Sequence, residues 1–183
     1  ATNPTTRKRW VFFGTGRYLL ADDAEAGSAA SAVVQSMYGF MENDGTTAVL
    51  RSELTQRGLT NSGAVMDGYA VRTFDAKAAL PTGSKGWYIN LPEAGERIVQ
   101  DAQVVSTFLV TASMVPQGSA CEADGSGYIN SFDAFTGTSA GGSYFDLDGD
   151  GQTDDSVVGG RPVGSINPNV GMPTLPNLLR GRV

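Results

Sequence analysis

"GYINSFDAFTG", residues 127–137, sets the reading of the fold. A Gly-Tyr strand runs into Phe-Asp-Ala, and Thr136-Gly137 then turn the chain. Upstream, "GYAVRTFDA" (68–76) has the same plan. Each is followed, after a linker, by a Gly-x-Tyr segment: "GWYINL" (86–91) after the first and "GSYFDL" (142–147) after the second.

A hairpin repeated once per sheet is the pattern of a β-propeller, whose blades take about 40–50 residues each. The Phe-Asp-Ala-x-Thr-Gly run adds weight, because it suits a strand that turns outward. The predicted fold is therefore all-β: part of a modified β-propeller of short antiparallel sheets. At that blade size 183 residues make about four blades, the lower limit for closure. The chain opens in a strand-like segment and stops at "LLRGRV", so it reads as a piece of a longer protein. Composition agrees: 24 glycines beside abundant Val, Thr and Ser suit short strands and tight turns better than long helices.

Elsewhere, "WVFF" (10–13) reads as a buried strand ending in a Gly-Thr-Gly turn. "ADDAEAGSAASAVVQS" (21–36) reads as a loop or short helix, and "SMYGFMEN" (36–43) as a strand closed by Asn43-Asp44-Gly45. "TAVLRSELTQRGL" (47–59) is the best helical candidate, with a strand leading into a loop as the alternative. "KGWYINLP" and "ERIVQDAQVVSTFLVTASMVP" alternate like strands, with Pro92 and Pro116 as stops. From Gly159 onward the Pro, Gly and Asn content predicts mostly extended loop.

"YFDLDGDGQTDDSVV" (144–158) carries the chemistry. Against the calcium-loop pattern D-x-[DN]-x-[DN]-G, Asp146, Asp148 and Asp150 fall at positions 1, 3 and 5, and Gly151 at 6. Gln152 at position 7 offers its backbone carbonyl, and Asp154 falls at 9. Carboxylates crowded into one turn repel unless a divalent cation sits among them. This density of oxygen donors suits Ca2+ better than Mg2+, because the larger ion accepts an all-protein cage. Position 12, a bidentate Glu in a helix-loop-helix sensor, is Val157. The loop is thus expected between strands, with a water or Asp155 completing the shell. The alternative is an acidic hairpin without metal.

The chain has no histidine, which removes histidine triads, imidazole acid–base chemistry and most zinc and copper sites. Its one cysteine, Cys121, has no partner within the chain. A net charge of −6 gives no support to nucleic-acid or anionic-membrane binding, and no run reaches the length of a membrane span. Asp22-Asp23, Glu93 with Glu96, and Asp67 are carboxylates to weigh as a glycosidase pair, and nothing in the sequence brings any two together. Arg17 after Gly14-Thr15-Gly16 lacks the length and lysine of a P-loop. Trp10, Trp87 and the tyrosines read as packing residues rather than a carbohydrate platform. No catalytic or cofactor-binding residues are assigned, and the protein reads as a non-enzyme.

With these pieces in order, the chain resembles the C-terminal domain of the PilY/PilC family, the type IV pilus tip adhesin and biogenesis proteins. "WVFFGTGRYL" (10–19), "QSMYGF" (35–40), "GWYINLPEAGERIV" (86–99), "VPQGSACEADGSGYINSFDAFTG" (115–137) and "FDLDGDGQTDD" (145–155) are similar to successive family segments. Residues 1–183 then form part of one such propeller domain, with the calcium loop at 146–155. The resemblance implies a secreted, calcium-binding fimbrial protein that acts in pilus extension and retraction, twitching motility and adhesion. Its ligands would be Asp146, Asp148, Asp150 and Asp154 through side chains and Gln152 through its carbonyl. Its partners would be minor pilins and a host or abiotic surface ligand. It implies export across the periplasm and outer membrane of a Gram-negative cell to the pilus tip, without membrane insertion. Asn90 departs from the Asp frequent in the family, residues 21–34 match no family segment, and a von Willebrand A-like N-terminal half is not in this sequence. A secreted PQQ-type quinoprotein dehydrogenase propeller is the alternative, and a dockerin module is disfavoured by the lone loop lacking its position-12 carboxylate.

Overall fold

The fold begins with two antiparallel strands, β1 (Trp10–Gly14) and β2 (Ser36–Met41), paired Trp10↔Met41 through Gly14↔Met37. The computed structural model describes residues 1–25, 27–28, 32–42, 47–118, 124–153 and 156–174. Between β1 and β2 lies one helical turn, α1 (Ala21–Ala24). After a 3-10 turn at Arg51–Glu53 come β3 (Thr55–Arg57), β4 (Leu59–Thr60), β5 (Val65–Met66), β6 (Tyr69–Phe74) and β7 (Gly86–Asn90). Then follow β8 (Gln103–Val105), β9 (Phe108–Pro116), β10 (Gly125–Asp133), β11 (Val157–Val158) and β12 (Arg161–Ile166).

These make an all-β, propeller-like fold of curled, mainly antiparallel sheets. The smaller sheet runs β1-β2-β7-β3, with β3 parallel to β7. The larger runs β4-β6-β12-β10-β9-β8, with β5 added on β6 and β11 on β12. Their facing sides form the core. Trp10, Met37, Trp87 and Ile89 come from the smaller sheet, and Leu59, Phe74, Leu109 and Phe132 from the larger. Trp87, fully buried, meets Phe132 edge-on at 5.3 Å and donates from Nε1 to the Ala134 carbonyl at 2.9 Å, tying the sheets together.

Turn chemistry follows the sequence. Asp67 and Gly68, both at positive φ (49° and 84°), close the β5–β6 hairpin as a two-residue turn. Asp133 Oδ1 accepts from the amides of Phe135 and Thr136, which turns the chain after β10. Gly137 there has φ +70°, and a Cβ on it would lie 2.6 Å from the Trp87 ring, so glycine is required.

Four expectations change. The two Gly-Tyr strands exist as β6 and β10, but both lie in the larger sheet on either side of β12, and 142–147 forms no strand. Of the described residues after Gly159, 161–166 form β12 in the middle of that sheet where loop was expected, while 167–174 form no strand. Pro162 is tolerated because it lies at the start of β12 opposite Val157, and Gly164 is needed because a Cβ there would lie 2.4 Å from Phe74. The β1 strand is buried on one face only: Val11 and Phe13 are exposed. Residues 47–59 give the 3-10 turn, β3 and the start of β4, which follows the strand alternative and not the helix. The Asn43-Asp44-Gly45 turn and Cys121 lie outside the described residues.

The excursion between β1 and β2 is organised by Asp23. Its Oδ2 accepts from the amides of Leu19 and Leu20, at 3.0 and 2.9 Å, and its Oδ1 from Arg17 Nε at 2.9 Å. The two backbone N–H groups, with Arg17 beside them, hold its carboxyl down to about 2. Arg97, itself buried, donates to the Asp23 carbonyl at 3.1 Å and so joins the excursion to the sheets.

Candidate metal centre

The acidic loop lies in the connection between β10, which ends at Asp133, and β11. Val163 of β12 holds both of its ends. The Ser143 hydroxyl donates to the Val163 carbonyl at 3.0 Å, and the Val163 amide donates to the Ser156 carbonyl at 2.8 Å. Ser143 and Ser156 are buried. Tyr144 packs on Phe108 with ring centroids 5.3 Å apart, adding an apolar anchor.

Within the loop the aspartates organise the backbone. Asp146 Oδ1 accepts from the Gly149 amide at 2.8 Å and its Oδ2 from the Gly151 amide at 2.9 Å. Asp148 Oδ1 accepts from the Asp150 amide at 3.2 Å, and Asp150 Oδ1 from the Gln152 amide at 2.7 Å. Gly149 and Gly151 take φ +80° and +88°, which lets the chain coil tightly around its own carboxylates.

The result brings Asp146, Asp148 and Asp150 together, all exposed, with one carboxylate oxygen from each within 4.8 Å of the others. Oxygens that share one Ca2+ at about 2.3–2.6 Å can be at most about 5 Å apart, so this separation fits a common ion. Gln152 lies beside them and is exposed, and Asp154 and Asp155 lie outside the described residues. Val157, at position 12, is in β11, so the loop does sit between sheet elements and not between helices. The anchors Ser143, Ser156 and Val163 were missed in the sequence; small residues beside a Gly-rich turn carry no signal of a long-range bond.

The other carboxylates lie elsewhere. Glu96 is fully buried and pairs with the equally buried Arg72, Oε1 to Nη1 at 2.9 Å, while Glu93 stands 3.4 Å from Arg72 Nη2. Arg72 thus brings Glu93 and Glu96 together, which their spacing did not predict. Asp22 is exposed, and Asp67 occupies a hairpin turn. Asn90, the departure from the family pattern, accepts from Ser36 Oγ at 2.8 Å and from Arg51 Nη2 at 2.7 Å. Tyr38 and Tyr88 share the outer face of the smaller sheet, with Arg51 lying 4.0 Å over the Tyr88 ring.

The fold and loop define an all-β, propeller-like segment with an Asp-x-Asp-x-Asp-Gly turn between strands. Comparison with known proteins makes the class specific. A Xylella fastidiosa protein named type IV pilus biogenesis factor PilY1 homolog is 33% identical over 187 residues, covering 97% of this chain and 14% of its own length. Two Pseudomonas aeruginosa proteins named type IV pilus biogenesis factor PilY1 are each 24% identical over 172 residues, or 83% of this chain and 14–15% of theirs. No family model and no solved structure matches the chain. Over this segment the chain is homologous to curated proteins named PilY1. It spans about one-seventh of the length of the curated relatives it matches.

Proposed function

We propose that this chain is the calcium-responsive segment of a type IV pilus biogenesis factor, which acts with minor pilins at the pilus tip in extension, retraction and surface adhesion. The pilus role rests on the names of the relatives, and twitching motility would depend on it. The calcium reading rests on one observation: three carboxylates converge within 4.8 Å on a loop coiled around Asp146. Asp146, Asp148 and Asp150 would hold the ion with side chains, Gln152 with its carbonyl, and Asp154 at position 9.

Calcium here is a structural ion and not a catalyst. It offsets the repulsion among the carboxylates and favours one loop conformation. Its differential affinity for that conformation is the free energy that shifts the equilibrium between pilus states. The loop hangs from Val163, so the conformation it selects is transmitted to β12 and the larger sheet. A micromolar to millimolar affinity suits an extracellular site. Among the described residues no helix is long and apolar enough to cross a membrane.

Calorimetric titration of the chain with calcium chloride tests the site. The wild-type chain binds one ion, and Asp146→Ala abolishes the heat while the circular dichroism of the β-fold persists. Equal affinity in the two proteins would remove Asp146 from the site. For the pilus role, the same substitution in the full-length protein should change the number of surface pili in a calcium-dependent way; an unchanged count would refute that step.

A further inference from the structure

Four polar side chains lie in one row across the larger sheet. Arg72 of β6 stands opposite Ser165 of β12, Ser165 opposite Asn130 of β10, and Asn130 opposite Thr111 of β9. Residues directly opposite in a ladder share a face, so all four point the same way. All are buried, with exposures of 0–2%. Among the described residues, each has a polar atom without a hydrogen-bond partner: Arg72 Nε, whose guanidinium lies over the Tyr128 ring, Ser165 Oγ, Asn130 Oδ1 and Thr111 Oγ1.

The surroundings cannot supply the missing partners. Two residues further along the strands the row borders Phe74, Phe132 and Leu109, part of the apolar core. In the other direction Ser113 is already committed: its hydroxyl donates to Glu96 Oε1 at 2.5 Å and accepts from Asn130 Nδ2 at 3.3 Å. That bond also sets the Asn130 amide, leaving Oδ1 on the row side. Neighbours about 5 Å apart across a ladder could reach one another, yet their polar atoms do not meet. Of the four, only Asn130 borders the cavity of about 10 Å³ between the sheets, and the rest of that cavity's lining is apolar, Phe74 and Phe132 included, so the water is assigned to the row and not to the cavity.

We infer that the row Arg72–Ser165–Asn130–Thr111 is an internal hydration site, where ordered water bridges the side chains between the two sheets. The chemistry selects water over an ion. Arg72 Nε only donates, Asn130 Oδ1 only accepts, and the two hydroxyls do either. A cation would face the Arg72 guanidinium. A halide would face Asn130 Oδ1 and, beyond it, the Glu96 carboxylate. Water alone serves donors and acceptors, making about three hydrogen bonds as buried waters do. The row is independent of the acidic loop and of any role in the pilus.

Crystals of this chain grown in sodium bromide test the assignment at a resolution that shows ordered solvent. Water density bridging Asn130 Oδ1 to Thr111 or Ser165, without anomalous signal, is expected. An anomalous bromide peak in the row overturns water in favour of an anion site. A dry row whose side chains bond one another overturns it too. A second measurement uses Thr111→Val, nearly the same shape without the hydroxyl. An orphan hydroxyl in a dry core would be better replaced by a methyl, so an unchanged or higher melting midpoint contradicts the inference. A hydroxyl that holds water loses that bond, and the midpoint falls by about 2–4 °C.

Discussion

The Ser143 hydroxyl and the Val163 carbonyl, twenty residues apart, meet at 3.0 Å in the interior. The Val163 amide then takes the Ser156 carbonyl, so the acidic loop is suspended from one residue of β12. The loop is therefore joined to a central strand and is not a free surface turn.

Replacing that hydroxyl should separate anchoring from ligation. Ser143→Ala leaves every aspartate in place and removes the bond to Val163 together with the one the hydroxyl accepts from the Phe145 amide at 3.1 Å, which costs about 1–2 kcal/mol of stability. Urea denaturation reads the loss, and titration with calcium should show weaker binding despite the intact ligand set. Unchanged affinity would show that the loop organises itself without β12.

Backbone strain gives a second handle. Gly151 has φ +88° with nothing within 4 Å of where a Cβ would be, so Gly151→Ala suffers from conformation and not from collision. That costs about 1–2 kcal/mol. If the ion requires this conformation, calcium affinity falls about 5–30-fold. Calorimetry on the two proteins compares them directly.

A positive side chain in the loop should partly replace the ion. Asp150→Lys removes a ligand and places an ammonium beside Asp146 and Asp148. Calcium binding is lost, and the loop amides in an NMR spectrum without calcium move toward their positions in the calcium-loaded wild type. Amides that instead match the calcium-free wild type would argue against charge neutralisation as the ordering force.

The Arg72–Glu96 pair is buried on both sides. Glu96→Leu leaves the guanidinium without its closest countercharge and should cost about 3–5 kcal/mol in equilibrium unfolding. Adding Arg72→Met should recover most of the loss, because the cost lies in the unpaired charge. Failure of the double variant to recover would mean that the network contributes net stability.

Asp23 sets an acid limit. Its carboxyl is held at about 2 in the folded chain against 3.8 ordinarily, so between these values the unfolded chain binds more protons. Its stabilisation is full above 3.8, declines as pH falls through that window, and is gone below about 2. Denaturation midpoints of the wild type should drop with acid across this range more steeply than those of Asp23→Asn. Parallel profiles would assign the acid sensitivity to other groups.

Much of the candidate site was legible before any coordinates. Asp146, Asp148 and Asp150 recur at every second position, and their bonds to the amides of Gly149, Gly151, Asp150 and Gln152 span at most five residues. The Asp133 turn is equally local. The β12 strand was not legible. Its Pro, Gly and Ser residues have low strand propensity, and they serve there because Gly164 makes room for Phe74 and Ser165 faces the buried polar row. The repeated Gly-Tyr strands misled for a related reason: similar segments need not occupy equivalent sheets.

What residue order alone established was the all-β character, the turn after Phe132-Asp133-Ala134 and the convergence of three acids in one coil, since each depends on neighbours a few bonds away. Folding in three dimensions settled which strands lie side by side, that Val163 anchors both ends of the acidic loop, and that Arg72 buries its charge against Glu96. Those arrangements join residues far apart in the chain. They follow from which faces can be buried together, a condition that no short stretch contains.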